Sequence, residues 1–363
     1  MRIILATGIY PPEIGGTATY AHELFRVLKE KGLDVCVVSY GRMNNEQLTI
    51  DNGVMSVSKS GNFFSRWKRY ARALQAVASD ADVVIALSSV SVGIPLLMAK
   101  LKKPKKILRL GGDFFWERYT DRGGMKSLQE WYASGVGFWK LMNILFMGRI
   151  LRSFDALVYS TEMQRQLHTK YYQSLPSSTT LENALPLATP VLHTLHQPMR
   201  LLCMSRFVGF KNLLALLSAV KECQGVRLTM VGSGPMRGVL LAHAERLQVN
   251  VDWRGVVSDR KEELFKEYDL LVIPSTTEIS PNTALEARSC GLPVLLTKET
   301  GLSSMLTQGM VTAPLRSPPE ISTAIEHVRE DYEKIAKEAS APTPDRSWSV
   351  VADDWIHFLS RLS

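Results

Sequence analysis

The chain has 363 residues, 45% of them hydrophobic and 21% charged, which is a globular composition too long for one ordinary core and predicts two domains. Its formal net charge of +8 lies wholly in the first half: residues 1–185 hold 24 Lys and Arg against 15 Asp and Glu, and the remainder has one more acid than base. A helical membrane span is excluded, because the longest apolar run, Val136 to Val158, is broken by Lys140, Arg149 and Arg152; Cys36, Cys203, Cys223 and Cys290 lack metal or redox spacing and read as buried free thiols of a reducing compartment.

The N-terminus, Met1 to Thr7, runs straight into a strand rather than a signal peptide, so a cytoplasmic location is expected. After the strand Arg2 to Ala6 comes the loop Thr7 to Thr17 with the pair Gly15 and Gly16, opening a helix with Tyr20, Leu24, Phe25 and Leu28 along one side. Paired glycines there either let the backbone approach an anion with free N–H groups or simply make a tight turn. Strands follow at Asp34 to Ser39, Asp82 to Leu87, Lys106 to Leu110 and Asp155 to Tyr159. Continuous apolar strands alternating with amphipathic helices predict parallel sheets covered on both faces. Arg109-Leu-Gly-Gly-Asp113 ends one of these strands, and Asp113 reads either as a group that orients or deprotonates a hydroxyl or as a structural loop aspartate. Basic and aromatic residues mix in Phe63 to Arg72 and in Trp131 to Arg152, with further lysines from Lys100 to Lys106. They suit an anionic membrane surface as well as a solvated helix face. Nucleic acid is not expected as a partner, since no nucleic-acid-binding motif accompanies them.

Prolines at 186, 190 and 198 mark a boundary. The predicted organisation is a first Rossmann-like domain over 1–186, a linker over 187–199, a second domain over 200–345 and a tail helix over 346–363. The second domain is predicted to hold strands at Leu201 to Met204, Arg227 to Val231, Val251 to Trp253, Asp269 to Ile273 and Pro293 to Thr297. Three loops follow strands there. The first, Ser205 to Asn212, carries Arg206 and Lys211; the second is Gly232-Ser-Gly234-Pro235; the third follows Trp253 and contains Gly255 and Val256. Between Pro274 and Pro293 Glu278 precedes a helix and Glu286 lies two turns into it. Ser280 is the predicted N-cap, Pro281 the first helical residue, and Gly291 with Pro293 the stop.

The E-x7-E segment, the Arg206/Lys211 loop, the GxGP turn and the Gly15/Gly16 loop, in that arrangement, resemble the retaining glycosyltransferases of glycosyltransferase family 4 (glycosyl transferases group 1). The resemblance implies an α/β GT-B fold, two doubly wound Rossmann-like domains facing across a cleft, with the tail helix returning to the first. It implies transfer of a sugar from a nucleotide-sugar donor to a glycan or lipid-linked acceptor, as in cell-surface polysaccharide or glycolipid synthesis. The enzyme would lie in the cytoplasm or on the inner face of the cell membrane. Arg206 and Lys211 would hold the diphosphate together with the N–H groups of Asn282 and Thr283. Glu278 would contact the transferred sugar and Glu286 the ribose. Gly15, Gly16, Gly232, Gly234, Pro235, Gly255, Val256 and Ser280 would line the donor. No cofactor is implied, and no metal: Asp80-Ala-Asp82 matches the DxD signature of metal-dependent GT-A transferases only formally, because an aspartate recurs before the strands at 155 and 269. The histidine that family members often carry near Asp113 is absent, which leaves a catalytically silent scaffold as an alternative, alongside a nucleotide-sugar epimerase.

Overall fold

The structure, a computed structural model, describes residues 1–13, 15–41, 50–135, 137–257 and 260–362. Ile14 of the glycine loop and Val136, where the long apolar run begins, lie outside them. In chain order the first elements are β1 (Arg2–Thr7), α1 (Gly16–Glu30), β2 (Asp34–Gly41), β3 (Ile50–Asp51), β4 (Val54–Ser58), α2 (Phe63–Ala78), β5 (Val83–Ala86), α3 (Ile94–Met98) and β6 (Lys105–Leu110). There follow α4 (Phe114–Asp121), α5 (Leu128–Ala133), α6 (Phe138–Arg152), β7 (Ala156–Tyr159), α7 (Glu162–Tyr171) and β8 (Ser178–Thr180). The second half holds β9 (Met199–Met204), α8 (Leu213–Glu222), β10 (Val226–Val231), α9 (Arg237–Leu247), β11 (Val251–Arg254), α10 (Lys261–Phe265), β12 (Leu270–Ile273) and α11 (Asn282–Ser289). It ends with β13 (Val294–Thr297), α12 (Ser304–Thr307), β14 (Val311–Ala313), α13 (Pro318–Glu330), α14 (Tyr332–Ala339) and α15 (Trp348–Ser360).

Two sheets form. The first runs β3-β4-β2-β1-β5-β6-β7-β8, parallel except for β3, which pairs antiparallel with β4; the second runs β11-β10-β9-β12-β13-β14 and is parallel throughout. In each, the first strand in sequence is internal and the order reverses beside it, at β1/β5 and at β9/β12. These are the switch points where adjacent loops part and leave a crevice at the carboxyl edge. Strands β5, β7, β12 and β13 are wholly buried, and β1 is buried beyond Arg2, as their apolar runs predict. The strands that the sequence does not announce, β3, β4, β8 and β14, lie at or next to sheet edges. Ser178–Thr180 has no apolar residue and β4 buries only alternate side chains, so neither shows the core-strand pattern.

The recurring aspartate has a structural cause. Asp82 accepts from the Arg2 N–H at 2.8 Å, Asp155 from Lys106 N–H at 2.7 Å and Asp269 from Arg200 N–H at 2.7 Å. Each carboxylate accepts from a backbone N–H at the start of the neighbouring strand, the first residue of β1 and the second of β6 and β9. Asp80 pairs with the Arg2 guanidinium at 2.6 Å. The DxD spacing therefore belongs to a strand entry.

The chain divides into two compact units, one of residues 1–114, 134–183 and 348–363, the other of 115–133 and 184–347. The second differs from the division drawn on sequence, because residues 115–133 leave the first domain. Leu128 N–H donates to Thr277 Oγ1 at 2.9 Å, Arg316 forks onto Glu130 at 2.5 and 2.6 Å, and Trp116 packs on Phe210 with ring centroids 5.3 Å apart. The stretch 187–199 also packs on this unit: Val191 N–H donates to Cys290 O at 2.9 Å, and His193 Nδ1 lies 2.9 Å from Tyr268 O. Burial depresses the His193 pKa. In the first unit α15 lies on α1, where Trp355 Nε1 donates to Tyr20 Oη at 2.8 Å and Lys31 pairs with Asp353 at 2.8 Å.

Candidate functional site

The second unit brings together residues that the sequence holds far apart. Lys211 ends a short turn of 3-10 helix after β9, and Glu278 follows β12, so the two loops meet at the β9/β12 switch point. Lys211 Nζ pairs with Glu278 Oε1, with the side chains only 16% and 7% exposed, and Ser275 Oγ donates to the same oxygen at 2.5 Å. Thr276 N–H donates to Phe210 O at 2.8 Å, tying the loops together. Glu278 is held on its other side as well: its N–H donates to Glu299 O and its carbonyl accepts from Gly301 N–H. These backbone bonds fix the main chain of Glu278, and Lys211 and Ser275 hold its carboxylate. Beneath it, burial raises the Cys203 thiol to about 12, so that cysteine stays neutral.

Arg206 has a different setting. Its side chain is 63% exposed, with Glu117 Oε2 at 3.8 Å, an acid contributed by the 115–133 segment. The expected pair of cations is thus one buried, ion-paired lysine and one solvent-facing arginine. Glu286 is gripped through both oxygens by Lys261 Nζ of α10 at 2.9 and 3.0 Å. Lys261 was missed in the sequence because its partner is 25 positions away and no spacing links them.

The helix after Glu278 starts one residue later than expected. Pro281 is the N-cap with ψ 99°, Asn282 is the first helical residue, and no side chain caps the helix. Ser280 is therefore not the cap. Displaced by one position, its Oγ is buried with no hydrogen-bond partner. Gly291, at φ 88°, does stop the helix, and a Cβ there would lie 2.3 Å from Val191 O. The N–H groups of Asn282 and Thr283 belong to the first turn of α11.

The glycines fall into two kinds. At Gly232 a Cβ would meet Ser205 O at 2.0 Å, and at Gly234 it would meet Phe207 O at 2.5 Å. These residues, with Pro235 following, let the β10–α9 turn lie against the backbone of the Arg206 loop, where Phe207 N–H donates to Ser233 O at 2.8 Å. Gly255 and Val256 are exposed beyond β11 on the same edge. In the first unit Gly15 caps α1 with extended backbone, and a Cβ would meet only the tip of Ile9 at 2.7 Å. Gly15 and Gly16 sit at the β1/β5 switch point with no comparable steric demand on the fold.

Asp113 is buried at the carboxyl edge of β6, and His168 Nε2 from α7 lies 3.4 Å from its Oδ2. Gln164, one turn earlier, donates to Gly112 O at 2.9 Å. Local sequence around Asp113 lacks a histidine, yet the fold supplies one from 55 positions on. Nearby Arg109 stacks on Tyr20 at 3.5 Å and bonds Asn183 at 2.5 Å. Among the described residues no group of three or more His, Cys, Asp or Glu is placed to hold a metal ion, and no helix is long and apolar enough to cross a membrane.

An α/β protein with two parallel Rossmann-like sheets, and with charged loops meeting at the switch point of the second, is the class that these features define. Residues 198–331 match the family described as glycosyl transferases group 1. The chain is 23% identical over 352 residues to alpha-monoglucosyldiacylglycerol synthase of Streptococcus pneumoniae, covering 90% of this chain and 77% of that one. In three other relatives the match spans only 34 to 40% of their own length. The fold is that of sucrose-phosphate synthase from Thermosynechococcus elongatus, with a TM-score of 0.81 at 16% identity over 100% of this chain and 99% of the other. It is also that of Anabaena HepE, solved in complex with UDP-glucose, with a TM-score of 0.76 at 14% identity over 99% and 100%. The fold class is GT-B, and the likeness to glycosyl transferases group 1 lies in residues 198–331.

Proposed function

We propose that this chain is a retaining glycosyltransferase of family 4 that moves a sugar from a nucleoside-diphosphate sugar to a glycan or lipid-linked acceptor. The observation that carries the reading is the buried Lys211–Glu278 pair at the switch point of the second sheet, beside the first turn of α11 and inside the matched segment. In this reading Glu278 orients the hydroxyls of the transferred sugar and Glu286, set by Lys261, holds the ribose. Lys211, Arg206 and the N–H groups of Asn282 and Thr283 take the diphosphate oxygens, where negative charge grows as the anomeric bond breaks. The acceptor oxygen bonds to the anomeric carbon on the face that the diphosphate leaves, and its proton passes to the departing phosphate oxygen. The sugar keeps its configuration, no covalent intermediate forms on the protein, and fixed cations serve in place of a metal.

In the first unit Gly15 and Gly16 would let backbone approach the donor, and Asp113, set by His168, would position the acceptor hydroxyl. A nucleotide-sugar donor fits the likeness to a protein solved with UDP-glucose, and the S. pneumoniae relative, named for a glycolipid product, makes a lipid-linked acceptor the leading choice. Such a substrate places the enzyme at the inner face of the cell membrane, in cell-surface glycolipid or polysaccharide synthesis, with the basic first half facing the lipid.

The test is thermal unfolding of the purified chain with millimolar UDP-, GDP- and ADP-sugars, followed by proton NMR of the product with the donor that binds. A donor that binds only the folded state raises the melting temperature. A shift with one donor, with product formed in EDTA and retaining the donor's anomeric configuration, is expected. No shift with any donor sinks donor binding, an inverted product sinks retention, and an altered free nucleotide sugar would mark an epimerase.

A further inference from the structure

Helix α6 projects large apolar side chains into water. Phe138 and Trp139 are 69% and 79% exposed, and Leu141, Met142 and Leu145 are also exposed, whereas Met147, Ile150 and Leu151 of its last turns are buried. The outer residues recur at i, i+4 and i+7 from Phe138, so they form a stripe, and the two leading rings lie 5.5 Å apart edge to face. A second aromatic group stands on the first turns of α2, where exposed Phe63 and Phe64 gather with Trp67 at centroid distances of 4.0 to 5.9 Å. The two groups share one edge and one face. Helices α2 and α6 lead into β5 and β7, so their N-terminal turns lie at the carboxyl edge of the parallel sheet, and both connections step the same way along the strand order. Right-handed crossovers then put both on one side of the sheet.

Charge selects the occupant. Helix α2 carries Arg66, Lys68, Arg69 and Arg72, α6 carries Lys140, Arg149 and Arg152, and neither has an acidic residue. A second copy docked face to face through this surface would set cation against cation, a juxtaposition that opposes association. Aromatic rings at the tips of cationic helices match the boundary of an anionic bilayer, where rings sit among the headgroups and Lys and Arg reach the phosphates.

We infer that the N-terminal turns of α6 and α2 form an interfacial anchor that inserts into an anionic lipid surface. The carboxyl edge of the first sheet, with Asp113 and the Gly15/Gly16 loop, then faces the lipid from which an acceptor headgroup comes. The inference deepens the lipid-linked acceptor proposed above and rests on it for the substrate, but its test needs no donor or acceptor. The full chain is sedimented with vesicles of phosphatidylcholine alone and of phosphatidylcholine mixed equally with phosphatidylglycerol. Binding at least tenfold stronger to the anionic vesicles is expected. The double variant Trp139→Glu with Leu145→Glu should lose at least tenfold of it, and Arg66→Gln with Lys68→Gln, both in the first two turns of α2, should narrow the preference for anionic lipid. Melting temperature and nucleotide-sugar stabilisation are followed in each variant, so a folding defect is separable from an anchoring defect. No binding to anionic vesicles, or binding that the Trp139/Leu145 variant leaves intact, overturns the inference. So does sedimentation velocity that finds a dimer which the same variant converts to monomer, because the face would then be an interface between copies. Loss of vesicle binding with donor stabilisation retained would leave the glycosyltransferase reading untouched.

Discussion

Replacing Lys211 with alanine tests the centre of the site, because the structure makes two separate demands on that one cation. The Glu278 carboxylate is 7% exposed and accepts from Lys211 and from Ser275. Without Lys211 it keeps one hydroxyl donor and an uncompensated buried charge. Removing one partner of such a pair costs on the order of 3–5 kcal/mol, which in a folding unit of this size is a fall in melting temperature of about 6 to 20 °C. Glu278→Gln makes the buried group neutral, so the double variant should recover much of that loss even though it makes fewer contacts. Turnover behaves differently. If Lys211 also stabilises the departing diphosphate, its loss should slow transfer by a factor of about 10² to 10³, and Glu278→Gln should not restore it. The assay is calorimetric unfolding of wild type, both single variants and the double variant, with turnover on the donor found by thermal shift. A Lys211→Ala protein as stable as wild type, or a double variant no more stable than the single, would refute the buried-pair argument. Unchanged turnover would refute the role at the diphosphate.

The two kinds of glycine give opposite expectations. Gly232→Ala forces a Cβ to within 2.0 Å of Ser205 O at a φ of 140°, so unfolding should come at least several degrees earlier; Gly15→Ala meets only the flexible tip of Ile9 and should change stability by less than about 0.5 kcal/mol while weakening donor stabilisation. Calorimetry with and without donor separates them, and an unperturbed Gly232→Ala would remove the packing explanation. Arg316 and the Ser127 N–H pull the Glu130 carboxyl down to about 2, so its stabilising contribution is full above the unfolded value of about 4.3 and fades as pH falls toward 2. Glu130→Gln should therefore be less stable than wild type at neutral pH, by about 1 kcal/mol or less for an exposed pair, and the gap should close below about pH 4. A gap that is constant with pH would show that the ion pair is not its source.

Much of the fold could be read because its determinants are local. The buried central strands are continuous apolar runs, the aspartates before them recur with the strands they serve, and Gly291 stops α11 through its own backbone angle. Readings failed where the deciding neighbour was remote. The cap is the exception, a local misreading: Ser280 looks like one, but the extended backbone of the adjacent Pro281 delays the helix by one residue. Residues 115–133 sit in the first half of the chain, yet Arg316, Thr277 and Phe210 draw them into the second unit, and with them Glu117 beside Arg206.

The sequence by itself determined two parallel α/β sheets, because a strand's apolar run and a helix's ends are written in adjacent residues; it offered Asp113 as a loop candidate, and its resemblance to a known family named Glu278, Lys211 and Glu286. Tertiary structure alone decided their partners: Lys211 with Glu278 across 67 positions, Lys261 with Glu286, and His168 beside Asp113. A hydrogen bond or ion pair depends on where two strands end in space, and strand order at a switch point is set by packing of the whole sheet rather than by any segment of it.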